Sequence, residues 1–174
     1  LYRECSKFVK RSKALAAEYE KFYYHYELIN WEKKLLEEAY ESGIFDQNLD
    51  ELIKEESDVI EKLRNLAEYQ ILYSRINYIF RSGGFTRNET ERQVVNEIAD
   101  YHLIKGKNTA LSTRATTICY YIKGLCSASI RDYEDALINF RKAKSVRDRN
   151  PLIRDDMQQR YIYTLSFLLN CYID

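Results

Sequence analysis

The sequence predicts an all-α protein, and three observations carry that expectation. Five glycines and one proline in 174 residues leave too few turn-formers for an all-β chain, which needs a turn every ~8–12 residues. Leu, Glu, Lys, Ala and Arg, all good helix formers, are abundant. Apolar side chains recur at three- and four-residue steps through long stretches without glycine or proline. With 45% hydrophobic and 31% charged residues, the chain can bury a sizeable core, which excludes a disordered tail or a disulfide miniprotein. Its longest apolar run, the five residues Ile118 to Ile122, falls far below the ~20 that cross a bilayer, and no stretch resembles a signal peptide. No membrane span is expected.

Residues 1–42 contain neither glycine nor proline, and one helix of that length would run roughly 63 Å. A break is expected between Ala17 and Glu20, where the stripe Tyr2, Cys5, Val9, Ser12, Ala16 gives way to Tyr24, Leu28, Trp31, Leu35, Ala39. Gly43 supplies the left-handed position that ends helices, and Asn48 or Asp50 can cap the next one. From Leu49 to Phe80 the positions Leu52, Val59, Leu63, Leu66, Ile76 and Phe80, flanked by Ile53, Ile60, Ala67 and Tyr73, make one amphipathic helix of roughly 48 Å. Asp50, Glu51, Glu55, Glu56 and Asp58 open it and Arg75 and Arg81 close it, which matches the helix dipole.

Gly83 and Gly84 end that helix; no Gly-Lys-Ser/Thr follows, so the pair is punctuation and not a phosphate loop. Asn88 and Glu91 form a capping box for a shorter helix through Val94, Val95, Ile98 and Tyr101, closed by Gly106. Ser112 caps a helix carrying Ile118, Ile122 and Leu125. A turn at Ser129 to Asp132 leads into another from Tyr133 to about Val146. Pro151 stops that helix, and a last one starts near Arg154 with Met157, Tyr161, Leu165, Leu168 and Tyr172 on one face.

The chain offers little chemistry. Its 27 basic and 27 acidic side chains cancel, which argues against the positive field that dominates nucleic-acid affinity. Cys5, Cys119, Cys126 and Cys171 lack zinc-ligand spacing and read as free thiols suited to a reducing cytoplasm. Cys119 and Cys126 lie about 10 Å apart along one helix, too far for a disulfide. His25 and His102 have neither a triad nor a metal-helix pattern beside them, and read as surface or packing residues. No catalytic residue, metal or cofactor is expected, and the chain reads as a non-enzyme. It begins at Leu1 and ends at Asp174 inside a predicted helix, so it reads as an excerpt of a longer polypeptide.

Tyr120, Gly124, Tyr133, Ala136, Phe140 and Ala143 follow one another at steps of four, nine, three, four and three. Small residues at 124, 136 and 143 let two helices approach, while Tyr133 and Phe140 fill the remaining space. This spacing over residues 118–151 resembles the tetratricopeptide-repeat family, departing where Arg131 replaces the usual turn glycine and where Pro151 falls three residues late. Cys5, Val9 and Ser12 imitate a second repeat helix, and residues 154–174 the first helix of a following repeat. Residues 20–110 resemble the degenerate helical repeats of many bacterial proteins.

The resemblance implies a right-handed α-α superhelix of antiparallel hairpins. It would form a single region over 1–174, with a long-helix part at 1–82 and the clearer repeat at 83–174. It also implies a non-catalytic scaffold whose groove, lined by Tyr24, Trp31, Tyr121, Leu125, Gln158 and Ile162, holds a protein or peptide. Tyr121 and Leu125 occupy positions that a carboxylate clamp would need. Sixteen tyrosines suit a contact surface. Alternatives are a ligand- or peptide-sensing module attached to an effector outside this segment, and an RNA-binding helical repeat. An apolar face near Leu165, Leu168 and Tyr172 is expected to be exposed and to drive self-association through the C-terminal helix.

Overall fold

The computed structural model describes residues 2–41 and 49–173. Among them are nine α-helices and no strand, and none of these helices is long and apolar enough to cross a membrane. The chain forms two compact units, Leu1–Arg64 and Asn65–Asp174.

The first unit holds α1 (Tyr2–Glu18), α2 (Phe22–Glu41) and the opening turns of α3 (Leu49–Arg81). The break falls where the sequence placed it. Glu20 adopts φ 51, and the amides of Glu20 and Lys21 donate back to the carbonyls of Ala17 and Ala16, which satisfies the orphan acceptors of a helix end. Ala39 is buried as expected, but the rest of the α2 stripe is displaced by one position. Phe22, His25, Ile29, Glu32, Leu36 and Ala39 are buried, while Tyr24 and Trp31 face outward. His25 and Glu32 take core positions that a purely apolar pattern overlooks. Gly43 and Asn48 lie outside the described residues; Asp50 stands in the first turn of α3.

In the second unit, the remainder of α3 buries Leu66, Tyr69, Leu72, Ile76 and Ile79. The units divide between Arg64 and Asn65, inside α3. Asn65 donates to the Thr109 carbonyl at 2.9 Å and accepts from the Leu111 amide at 3.0 Å. The fully buried Tyr69 donates its hydroxyl to the Leu103 carbonyl at 3.0 Å. These bonds hold the 103–111 segment to α3.

Gly84, at φ 79, closes α3 through its amide on the Phe80 carbonyl. Asn88 caps α4 (Glu89–Asp100) by accepting from the Glu91 amide at 2.8 Å. The reciprocal bond falls one residue early, because the Glu91 carboxylate takes the amide and guanidinium of Arg87. α5 (His102–Lys105) follows and ends at Gly106.

Ser112 caps α6 (Thr113–Ser129) by accepting from Ala115, and Asp132 caps α7 (Tyr133–Asp148) by accepting from Asp135. At the turn between them, Arg131 adopts φ 65, the conformation that glycine ordinarily provides. The amides of Arg131 and Asp132 close α6 on the Ala128 and Ser127 carbonyls.

Pro151 does not stand outside a helix: it opens α8 (Pro151–Asp156), where its missing N–H costs nothing. Met157 breaks the chain before α9 (Gln158–Ile173), so Arg154 belongs to α8. The buried face of α9 centres on Thr164 and Leu168, while Leu165 and Tyr172 are exposed.

Candidate functional site

The α6–α7 hairpin shapes the second unit. Gly124 is buried against Phe140, and a Cβ built on it would lie 2.6 Å from Phe140 Cε1. Ala136, Phe140 and Ala143 are completely buried, and Tyr120 and Tyr133 half-buried. The Phe140 ring stacks on Phe167 of α9, with centroids 5.2 Å apart and planes at 18°. Phe167 in turn meets Phe80 of α3 edge-on at 5.5 Å.

Beside this stack opens a cleft of about 700 Å³, lined by Phe80, Phe85, Arg131, Tyr133, Tyr163 and Phe167 among others. Arg81, Asn77 and Asn170 also line it, and no carboxylate of the described residues does. The Arg131 guanidinium lies over the Phe85 ring, 4.2 Å from its centroid, a cation–π contact that holds the arginine at the mouth. Aromatic rings with guanidinium and amide groups around them can bury apolar side chains and donate hydrogen bonds to main-chain or carboxylate oxygens.

The six residues expected to line a groove occupy different environments. Tyr121 and Leu125 are 4% and 0% exposed, and this corrects their assignment to an open groove. Tyr121 is ringed by Tyr73, Phe140 and Phe167, and its hydroxyl donates to the Arg160 carbonyl at 2.7 Å. Burial pushes its phenol well above the ordinary value. Gln158 and Ile162 are exposed on α9. Tyr24 and Trp31, in the first unit, are exposed on α2, where Lys34 Nζ sits 4.9 Å from the Trp31 ring centroid.

The first unit holds a feature that the residue pattern did not reveal, a network of charged groups inside its core. Lys13 Nζ lies 2.5 Å from Glu32 and 2.6 Å from Glu55, and His25 Nε2 lies 2.7 Å from the other Glu55 oxygen. The Glu32 side chain is only 3% exposed. Burial opposes ionisation of Lys13 and Glu55 alike. The hydrogen bonds and charges between them prevail, holding Lys13 above and Glu55 below its ordinary value. A shallow cavity of about 340 Å³ borders the network. The sequence signal was weak: Lys13, His25, Glu32 and Glu55 acquire meaning only once three helices are brought together.

Among the described residues no group of three or more His, Cys, Asp and Glu side chains is placed to hold a metal ion. Cys5, Cys119, Cys126 and Cys171 form no disulfide. Burial pushes the Cys126 thiol up to about 12 and raises that of Cys119 as well, which leaves both protonated and unreactive at neutral pH.

Fold and site together define an all-α protein with an aromatic cleft in its second unit. Comparison with protein-family models, curated proteins and solved structures returned no match.

Proposed function

We propose that this chain is a non-catalytic, tetratricopeptide-like helical scaffold, an α-α superhelix of stacked hairpins that binds a protein or peptide in the cytoplasm. The observation that carries the reading is the close approach of Gly124 to Phe140. Small residues at 124, 136 and 143 bring α6 and α7 together, and the hairpin so formed walls the aromatic cleft. The cleft, and not the set of six groove positions, is the seat for the peptide. Its rings take apolar side chains, and Arg81 and Arg131 take the peptide's oxygens. The ligand-sensing alternative uses the same cleft to report to an effector elsewhere.

Selection from a randomised displayed peptide library on the full chain tests this reading. Enriched peptides are expected to lose binding at least tenfold in Arg131→Ala or Tyr163→Ala, roughly what loss of one charge-assisted contact brings. Absence of enrichment, or peptides that bind both variants as well as the parent, would contradict it.

A further inference from the structure

The Arg147 guanidinium is in an unusual position. Arg147 is 2% exposed, and no carboxylate among the described residues lies within ion-pair distance of it. A buried charge is ordinarily paired, because leaving water uncompensated is expensive, and a guanidinium does not escape by deprotonating. What Arg147 has is a 3.5 Å hydrogen bond to the Met157 carbonyl and the face of Tyr121, 5.4 Å from its guanidinium carbon. These and the carbonyl end of α7 attenuate the charge without supplying a counter-ion.

A second cation is close. The Arg160 guanidinium, also without a carboxylate partner among the described residues, lies over the Tyr73 ring at 5.7 Å. Tyr73 and Tyr121 are ring neighbours at 6.4 Å, and Tyr121 bonds to the Arg160 carbonyl. The acids of the surrounding turns are already engaged. Asp156 pairs with Arg114, Asp155 with Arg154, and Asp148 with Lys144 and the Tyr161 hydroxyl. Burial, with the positive fields of Arg160 and Arg114, holds Arg147 below its ordinary value despite the opposite pull of Tyr121.

From a buried guanidinium with no carboxylate partner and a second, partly exposed one across the Tyr73–Tyr121 ring pair, we infer that Arg147 and Arg160 are the binding site of a single oxyanion, a phosphate group or a carboxylate. A guanidinium fork presents paired N–H donors of the kind that carboxylate and phosphate oxygens accept. The site is separate from the aromatic cleft, shares none of its lining residues, and does not depend on the peptide-binding reading.

Isothermal titration of the full chain with inorganic phosphate, and separately with acetate, at neutral pH and constant ionic strength tests this. The expected result is saturable one-to-one binding with a Kd tighter than roughly 1 mM for at least one anion. Stronger phosphate binding identifies free phosphate as the ligand chemistry, and stronger acetate binding identifies a carboxylate. Arg160 is partly exposed, so Arg160→Gln should fold as the parent does and weaken binding by about tenfold, the effect of one charge-assisted contact. Arg92→Gln, on the exposed side of α4 and outside the cleft, should leave it unchanged. Heats that fail to saturate with either anion would overturn the proposal, as would an Arg160→Gln chain with the parent's circular-dichroism melting curve and undiminished binding.

Discussion

Gly124 and Phe140 stand so close that a methyl group on the glycine would overlap the ring, with a Cβ 2.6 Å from Cε1. The same ring stacks on Phe167, so one side chain joins α6, α7 and α9. Phe140→Ala should therefore destabilise the second unit by about 3–5 kcal/mol, the cost of removing a fully buried aromatic anchor. Urea denaturation followed by circular dichroism measures it, and a loss within about 0.5 kcal/mol, typical of a surface change, would contradict the packing described.

The charged core of the first unit makes a different prediction. Lys13→Met keeps the volume but leaves the buried Glu32 without the ammonium that now lies 2.5 Å away. Breaking a buried pair from one side costs about 3–5 kcal/mol, whereas replacing both partners by apolar residues is often neutral. Lys13→Met should thus be markedly destabilising, and the Lys13→Met/Glu32→Leu double variant should recover most of the loss. Equal stabilities for the single and double variants would exclude a coupled pair.

The same network sets a pH dependence. Glu55 is held below its ordinary value, so its contribution is present above the unfolded value of ~4.3 and is lost as pH falls through the lower folded value. Lys13 is held above its ordinary value. Its contribution is present below ~10.4 and disappears as pH rises through the raised folded value. Urea midpoints across the acid range should fall less steeply in Glu55→Gln than in the parent.

Trp31 and Tyr121 should behave oppositely. Trp31 is 57% exposed and Tyr121 4% exposed. Trp31→Ala is expected to change stability by no more than about 0.5 kcal/mol. Tyr121→Phe, which removes only the hydroxyl bonded to the Arg160 carbonyl, should cost about 1 kcal/mol. Thermal melts of the two variants compare them directly.

The outer face of α9 exposes Ile162, Leu165, Leu169 and Tyr172 at helical spacing, an apolar stripe of the kind that drives association. Sedimentation velocity should show concentration-dependent self-association that Leu169→Glu abolishes. A parent chain that remains monomeric at all concentrations would rule this out.

Helix positions were largely legible because their signals are local. Glycine at 84 and the cap residues Asn88, Ser112 and Asp132 act on bonds within one turn of themselves, and the expected and observed boundaries agree there. The face that each helix buries was less legible, since it depends on distant partners. His25 and Glu32 enter the core of α2 only because Lys13 and Glu55 meet them, and their burial turns Trp31 outward. Tyr121 was legible as a large residue on α6, but not as a covered one: its cover is α9, about forty residues away. The start of the next helix was expected near Arg154 and falls at Pro151, because a proline that ends one helix can equally open the next. The cleft left no trace in the sequence, since its lining comes from α3, the turn after it, the α6–α7 hairpin and α9.

The central claim is that α6 and α7 interlock through a glycine that admits an aromatic ring, and a double-mutant cycle on Gly124→Ala and Phe140→Ala measures that directly. In the parent the added methyl should be strongly destabilising, by about 1–3 kcal/mol as overpacking is. In the Phe140→Ala background it should cost almost nothing, giving a coupling energy above about 1 kcal/mol. Equal costs of Gly124→Ala in both backgrounds would show that the two residues do not meet.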